Sequence, residues 1–158
     1  MTPAIEAAIA AGIEIGIHPY LHDPDNQRYG LEAAGALGVP PGHVFKTLVI
    51  DIGVAVDSRY ALAVLPVPRN LKLKAAAAAL GRKKAVMAIP HSAERVTGYV
   101  LGGISPLGTR MQLPTVIDTS ARGLDHIYCS GGKRGLDISI GWEDFVFLTN
   151  ATLASIAQ

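Results

Sequence analysis

Val44-Phe45-Lys46-Thr47-Leu48-Val49-Ile50 is an apolar, β-branched run broken by a single charge. Such a composition predicts a core strand over residues 44–52, and residues 60–67, equally aliphatic, predict its partner, with the turn in 51–59. A lysine inside such a run must point into a cleft, pair with an acid, hold an anionic ligand, or stand on the wet face of a half-exposed strand. The residues around it leave all four open.

Working outward, Thr2 and Pro3 predict a helix entry, because proline at the first helical position gives up an amide that has no partner anyway. A short helix over 4–11 should stop at Gly12, followed by a strand over 13–17. Residues 18–25 contain Pro19 and Pro24 and read as loop or irregular edge. A helix over 31–37 should end at Gly38. Beyond the strand pair, Asn70 is placed to cap a helix over 71–80, closed by Gly81. Residues 85–89 suggest a short strand, and Ser92 is placed to cap a brief helix to Val96. Residues 97–108 mix four glycines and a proline with apolar residues, which suits a shaped loop whose backbone approaches a ligand. Short strands are expected at 116–118, 127–130 and 136–140, the last two joined tightly by the glycine-rich 130–135, with one or two helical turns after Trp142. Together these elements predict one α/β domain over residues 1–158, with a mixed, curved sheet surrounded by helices.

The 158 residues carry 14 basic and 13 acidic groups, a formal net charge of +1. That balance disfavours a protein that grips a long duplex, but a local patch suffices for touching a nucleic-acid terminus. Arg82-Lys83-Lys84 or Lys133-Arg134 can supply one, though solvated surface is the plainer reading of each. Cys129, the single cysteine, lies in an apolar run and reads as a small core residue. The first residues lack the basic-then-apolar pattern of a signal peptide, and no apolar run approaches the roughly 20 residues of a membrane span. A soluble, cytoplasmic protein is expected.

Several motifs fail on inspection. Gly103-x-x-x-x-Gly108-Thr109 imitates a phosphate-binding loop but lacks its lysine, and Gly102-Gly103 does not fit the dinucleotide pattern. His18 and His22 have a helical metal-ligand spacing, but the prolines beside them oppose a helix. Asp23 and Asp25 lack the rest of a calcium loop. No G-x-S-x-G elbow is present. Neither a metal nor a cofactor is expected.

Three segments resemble the signatures of the YbaK/ProX family, in that family's order and separations: Val44-Phe45-Lys46-Thr47-Leu48; Thr97-Gly98-Tyr99 with Gly102-Gly103-Ile104-Ser105-Pro106-Leu107-Gly108; and Ser130-Gly131-Gly132-Lys133-Arg134-Gly135. The likeness takes in the start, Met1-Thr2-Pro3-Ala4, and the His22-Asp23-Pro24 turn, so it spans nearly the whole chain. It implies a barrel-like sheet and makes Lys46 the essential lysine, contacting the tRNA's terminal phosphate or ribose and orienting the ester. It places Tyr20, Thr47, Ser130 and Asp137 in the substrate pocket, and Gly102, Gly103, Ile104, Ser105 and Pro106 in the loop facing the aminoacyl group. Tyr29 stands where the family commonly has phenylalanine, and its hydroxyl changes the polarity of that wall.

The stand-alone YbaK branch, which this chain resembles most, deacylates Cys-tRNA(Pro). The resemblance therefore implies a trans-editing hydrolase acting on the 3' end of an aminoacyl-tRNA, with prolyl-tRNA synthetase as a transient partner and no membrane. Its implied chemistry is attack by the substrate's own thiol, with the protein supplying proximity and an oxyanion-stabilising loop. The alternatives are a deacylase of Ala-tRNA(Pro) or another small misacylated tRNA, and a non-catalytic adaptor that binds aminoacyl-tRNA or a synthetase.

Overall fold

In a computed structural model describing residues 1–158, the chain opens on helix α1 (Pro3–Ala10). The Thr2 hydroxyl accepts the Ile5 N–H at 3.3 Å, and Ala4, Ile5 and Ala8 are buried. Strand β1 (Gly16–Pro19) starts later than the pattern predicts and takes in His18 and Pro19. Proline is tolerated there because β1 is an edge strand, so its missing N–H faces no neighbour. Ile13 and Ile15 instead pack against the core from an irregular lead-in.

Helix α2 (Tyr29–Leu37) ends at Gly38, whose φ of +68° lets its N–H turn back to the Ala34 and Gly35 carbonyls. The expected hairpin follows as β2 (Phe45–Asp51) and β3 (Tyr60–Pro66), with Lys46 opposite Leu65. Helix α3 (Leu73–Ala79) begins after Asn70, which is not its cap. Asn70 exchanges backbone hydrogen bonds with Gln158 at 3.0 and 2.9 Å, so the far end of the chain claims it. Strand β4 is only Val86–Met87. Helix α4 (Pro90–Thr97) starts at the proline rather than at Ser92, which lies inside the first turn.

After the glycine-rich loop come β5 (Thr115–Asp118), β6 (Ile127–Lys133), β7 (Leu136–Ile140), α5 (Trp142–Thr149) and β8 (Thr152–Ala154). β8 carries no alternation long enough to read from sequence. Asp118 anchors the segment after it: its Oδ1 accepts the Ile156 and Ala157 N–H groups at 3.0 and 3.1 Å.

The strands form two sheets rather than the single curved, barrel-like sheet expected. One is antiparallel, β1-β7-β6; the other is mixed, β4-β2-β3-β5-β8, with β3-β5 and β5-β8 parallel. A lone parallel bridge, Val44 to Tyr128, joins them. Within the antiparallel sheet, the β6–β7 ladder slips register between Ser130 and Lys133. β3 is the central strand of the mixed sheet, and residues 61–65 are buried throughout, as a two-faced core strand requires. In β7, Leu136, Ile138 and Ile140 join a core cluster with Phe45 and Phe145, which sends Asp137 and Ser139 to the opposite face. No helix is long and apolar enough to cross a membrane.

Candidate active site

The junction of the two sheets opens into a cleft of about 580 Å³. β2 supplies Lys46 and Thr47, β6 supplies Ser130, β7 supplies Asp137, and Tyr20 follows directly on β1. The start of α2 and the glycine-rich loop close the other sides through Tyr29, Gly102 and Ile104. Elements far apart in sequence therefore bring eight of the expected residues together.

Lys46 is half-buried, and its ammonium donates to the Val67 carbonyl at 3.3 Å. No carboxylate forms an ion pair with it; the three ion pairs of the protein are His22–Glu32, Arg59–Asp51 and Arg82–Asp57. Burial lowers its pKa from the usual lysine value. An ammonium has three donors, and one is committed to Val67, so two remain for an anion or a ribose hydroxyl. Of the four readings of this lysine, the acid-pairing one is excluded by the structure.

Asp137 is buried, and burial alone raises its carboxyl pKa to about 7. It lies directly across from Ser130 in the β6–β7 ladder. The phenol of Tyr20 is pushed up to about 12, first by burial and then by the Asp137 charge. At neutral pH, Asp137 can therefore either hold or give up a proton, while Tyr20 stays a hydrogen-bond donor. The Thr47 hydroxyl is a buried polar atom with no hydrogen-bond partner in the protein, directly beside Lys46.

The glycine loop forms one wall. Within it the Gly103 N–H donates to the Val100 carbonyl at 2.9 Å, the Leu101 N–H to Glu94 at 2.9 Å and the Leu107 N–H to the Ser105 hydroxyl at 3.2 Å. The amides of Gly102 and Ile104, both at the cleft, enter none of these bonds. Unpaired amides beside a bound ester are the groups that can stabilise a developing oxyanion. Gly103, Ser105 and Pro106 are buried and do not line the cleft. Gly103 lies against the β6–β7 turn, where a Cβ would stand 2.7 Å from the Lys133 Cα, so glycine is required by packing.

Sequence reasoning did not single out Arg28, Gly30, Leu31 or Val67, which also line the cleft. Val67 was legible in principle: the hairpin register puts it past Leu65, and its N–H bonds the Val44 carbonyl at 2.8 Å. Gly30 allows α2 to sit on that strand end, since a Cβ would meet the Val67 side chain at 2.4 Å. The 18–25 segment is tied to α2 by Glu32, which accepts from His22 at 2.7 Å and from the Asp23 N–H at 2.8 Å. Cys129 is fully buried, and burial pushes its thiol far above the ordinary range, so it is the core residue expected. His18 meets the Ser139 hydroxyl at 2.8 Å, but neither residue lines the cleft.

A glycine-walled cleft at the meeting of two sheets, lined by an unpaired lysine and a carboxyl that titrates near neutrality, makes this a small α/β protein with one candidate ligand site at the sheet junction. Residues 27–148 match the family model of the aminoacyl-tRNA editing domain, and the chain belongs to that family. It is 39% identical over 123 residues to the Enterococcus faecalis protein named "Putative Cys-tRNA(Pro)/Cys-tRNA(Cys) deacylase EbsC", spanning 78% of this chain and 73% of that protein. Its fold is shared with "hypothetical protein APE2540" (TM-score 0.84, 21% identity, 99% of each chain). It is shared as well with "a putative trans-editing enzyme for prolyl tRNA synthetase" (TM-score 0.79, 24% identity, 98% of this chain and 92% of that one). Its editing domain makes the chain an aminoacyl-tRNA hydrolase.

Proposed function

We propose that this chain edits in trans, removing cysteine from mischarged tRNA(Pro). The observation that carries the reading is Lys46: a cleft lysine with no acid to neutralise it and two donors free for the ribose or phosphate of a tRNA end. The 39% identity to a protein named as a Cys-tRNA deacylase supports cysteine as the acyl group.

The chemistry needs no nucleophile from the protein. The substrate's Sγ attacks its own ester carbonyl carbon, forming a C–S bond. The bond from that carbon to the ribose oxygen breaks, and the thiol proton ends on the released hydroxyl, leaving a cyclic thiolactone and free tRNA. Lys46 would orient the ribose side of the ester, and the Gly102 and Ile104 amides would face the carbonyl oxygen as charge develops. Asp137, near neutrality, is suited to carry the proton between sulfur and the leaving oxygen. Working beside prolyl-tRNA synthetase in the cytoplasm would deliver the mischarged product directly to this cleft.

Purified Cys-, Ser- and Ala-tRNA(Pro) test the reading together with Lys46→Ala. Loss of cysteine alone, dependent on Lys46, is expected, because serine differs by one atom and is a far poorer nucleophile. Equal hydrolysis of the cysteinyl and seryl esters would refute the thiol route. Selective loss of alanine would reassign the substrate, and binding without turnover would make the protein an adaptor.

A further inference from the structure

The cleft's glycine wall is held from behind by a residue that the catalytic reading does not use. Arg134, in the turn between β6 and β7, donates from Nε to the Leu101 carbonyl at 2.9 Å. Its guanidinium carbon also lies 5.0 Å from the centre of the Tyr29 ring. Gly102 is enclosed by the same two side chains: a Cβ there would stand 2.6 Å from Arg134 Nε and 2.9 Å from the Tyr29 ring. Arg134 takes part in no ion pair. Three remote segments, the first residue of α2, the glycine loop and the β6–β7 turn, are thus joined through one guanidinium.

We propose that Arg134 is a positioning residue for deacylation: by holding the Leu101 carbonyl and the Tyr29 ring at once, it fixes the amides of Gly102 and Ile104 where the ester carbonyl is bound. The inference deepens the editing reading and rests on it. A planar guanidinium can lie over a ring and donate in its own plane at the same time; an ammonium cannot meet both demands. Lysine at this position would therefore keep the charge and lose the strut. A surface arginine that merely attracted tRNA phosphates would behave in the opposite way.

The experiment compares wild type, Arg134→Lys and Arg134→Met in single-turnover deacylation of Cys-tRNA(Pro), with tRNA binding measured over a range of salt. Both variants should lose about 10- to 100-fold in rate constant while affinity and its salt dependence hold, because misplacing the reacting geometry costs rate rather than binding. Tyr29→Leu should lose a similar factor, and its combination with Arg134→Met should add little to either, as expected of partners in one contact. Full rate in Arg134→Lys, with weaker binding and a salt slope shallower by about one ion in Arg134→Met, would overturn the proposal in favour of a phosphate contact. Wild-type rates in both variants would overturn it as well. If the wild type deacylates none of the tested esters, the editing reading fails, and hydrogen exchange still decides the strut. Faster exchange confined to residues 101–104 in both variants supports it, and unchanged exchange refutes it.

Discussion

Replacing Asp137 by asparagine removes one buried ionisation and almost no volume, so its effect can be worked out with its sign. Asp137 is 5% exposed, and burial raises its pKa from 3.8 to about 7. The folded protein therefore holds this proton over a range in which the unfolded chain has released it. The stabilising contribution is complete below about pH 4 and is lost as the pH rises through 7. The whole gap is worth about 4 kcal/mol, of which about 2 to 3 kcal/mol should disappear between pH 5 and pH 8. The amide that replaces the carboxyl is neutral at every pH, so Asp137→Asn should match the wild type near pH 4 and exceed its stability by about 4 kcal/mol at pH 8. Urea unfolding followed by the fluorescence of Trp142, the single tryptophan, which packs against the core, reads the difference directly. Every other titrating group is common to both proteins and cancels. Deacylation should fall in the same variant, because an amide cannot pass a proton on. Stability curves that stay parallel from pH 5 to pH 8 would refute the argument, since they would mean that the carboxyl is solvated or paired in the folded state.

Burial lowers the pKa of Lys46, so an activity that needs its ammonium should fail on the alkaline side at a pH below the ordinary lysine range; a deacylation pH profile tests this, with Lys46→Arg, whose charge persists, as the control. Gly108 combines a φ of +64° with a Cβ position 2.4 Å from the Pro3 carbonyl oxygen, which is backbone and cannot swing away. Gly108→Ala should cost about 2 to 3 kcal/mol in urea unfolding and loosen α1, detectable as faster hydrogen exchange in residues 3–10.

The parts of the fold legible in the sequence are those where one physical signal dominates. The β2–β3 hairpin follows from apolar content, and α1 and α2 follow from their caps, Thr2 and Gly38. What was missed depends on partners remote in the chain. Asn70 has the chemistry of a cap, but its backbone pairs with Gln158, in a chain end that Asp118 also holds through the Ile156 and Ala157 amides. β1 enters a sheet despite Pro19 because β7 leaves it an edge, which no local pattern announces. The site divides in the same way. Lys46 stands out as a charge in an apolar strand, and the family motifs add Tyr20, Thr47, Ser130 and Asp137, all of which line the cleft. Ser105 and Pro106 belong to the same motif yet are buried, since a motif records which residues a loop needs without separating those that face the ligand from those that shape the turn. Arg134 stands in the third motif and in a basic pair, but neither assigns it a task, because its two contacts are made across the fold.

The dimensions of the cleft bear on how selectivity must arise. A volume of about 580 Å³ is that of a site for an entire small ligand, and it far exceeds one amino-acid side chain. Size exclusion is a weak discriminator in any case, since even a close-fitting apolar pocket gains only about 10- to 200-fold per methylene. Cysteine and serine differ by less than that in bulk, but they differ in kind as nucleophiles: a thiol is a few per cent thiolate near neutrality, and a hydroxyl is not. If, as proposed, Lys46 holds the ester and the loop amides face the carbonyl oxygen while the substrate's own thiol attacks, the substrate's side chain decides whether reaction occurs. Correctly charged prolyl-tRNA, which has no thiol, could then enter the cleft and leave intact. On this argument, improving the fit of the cleft would contribute little to fidelity, whereas disturbing the Gly102 and Ile104 amides would slow the cysteinyl reaction and leave the prolyl ester as safe as before.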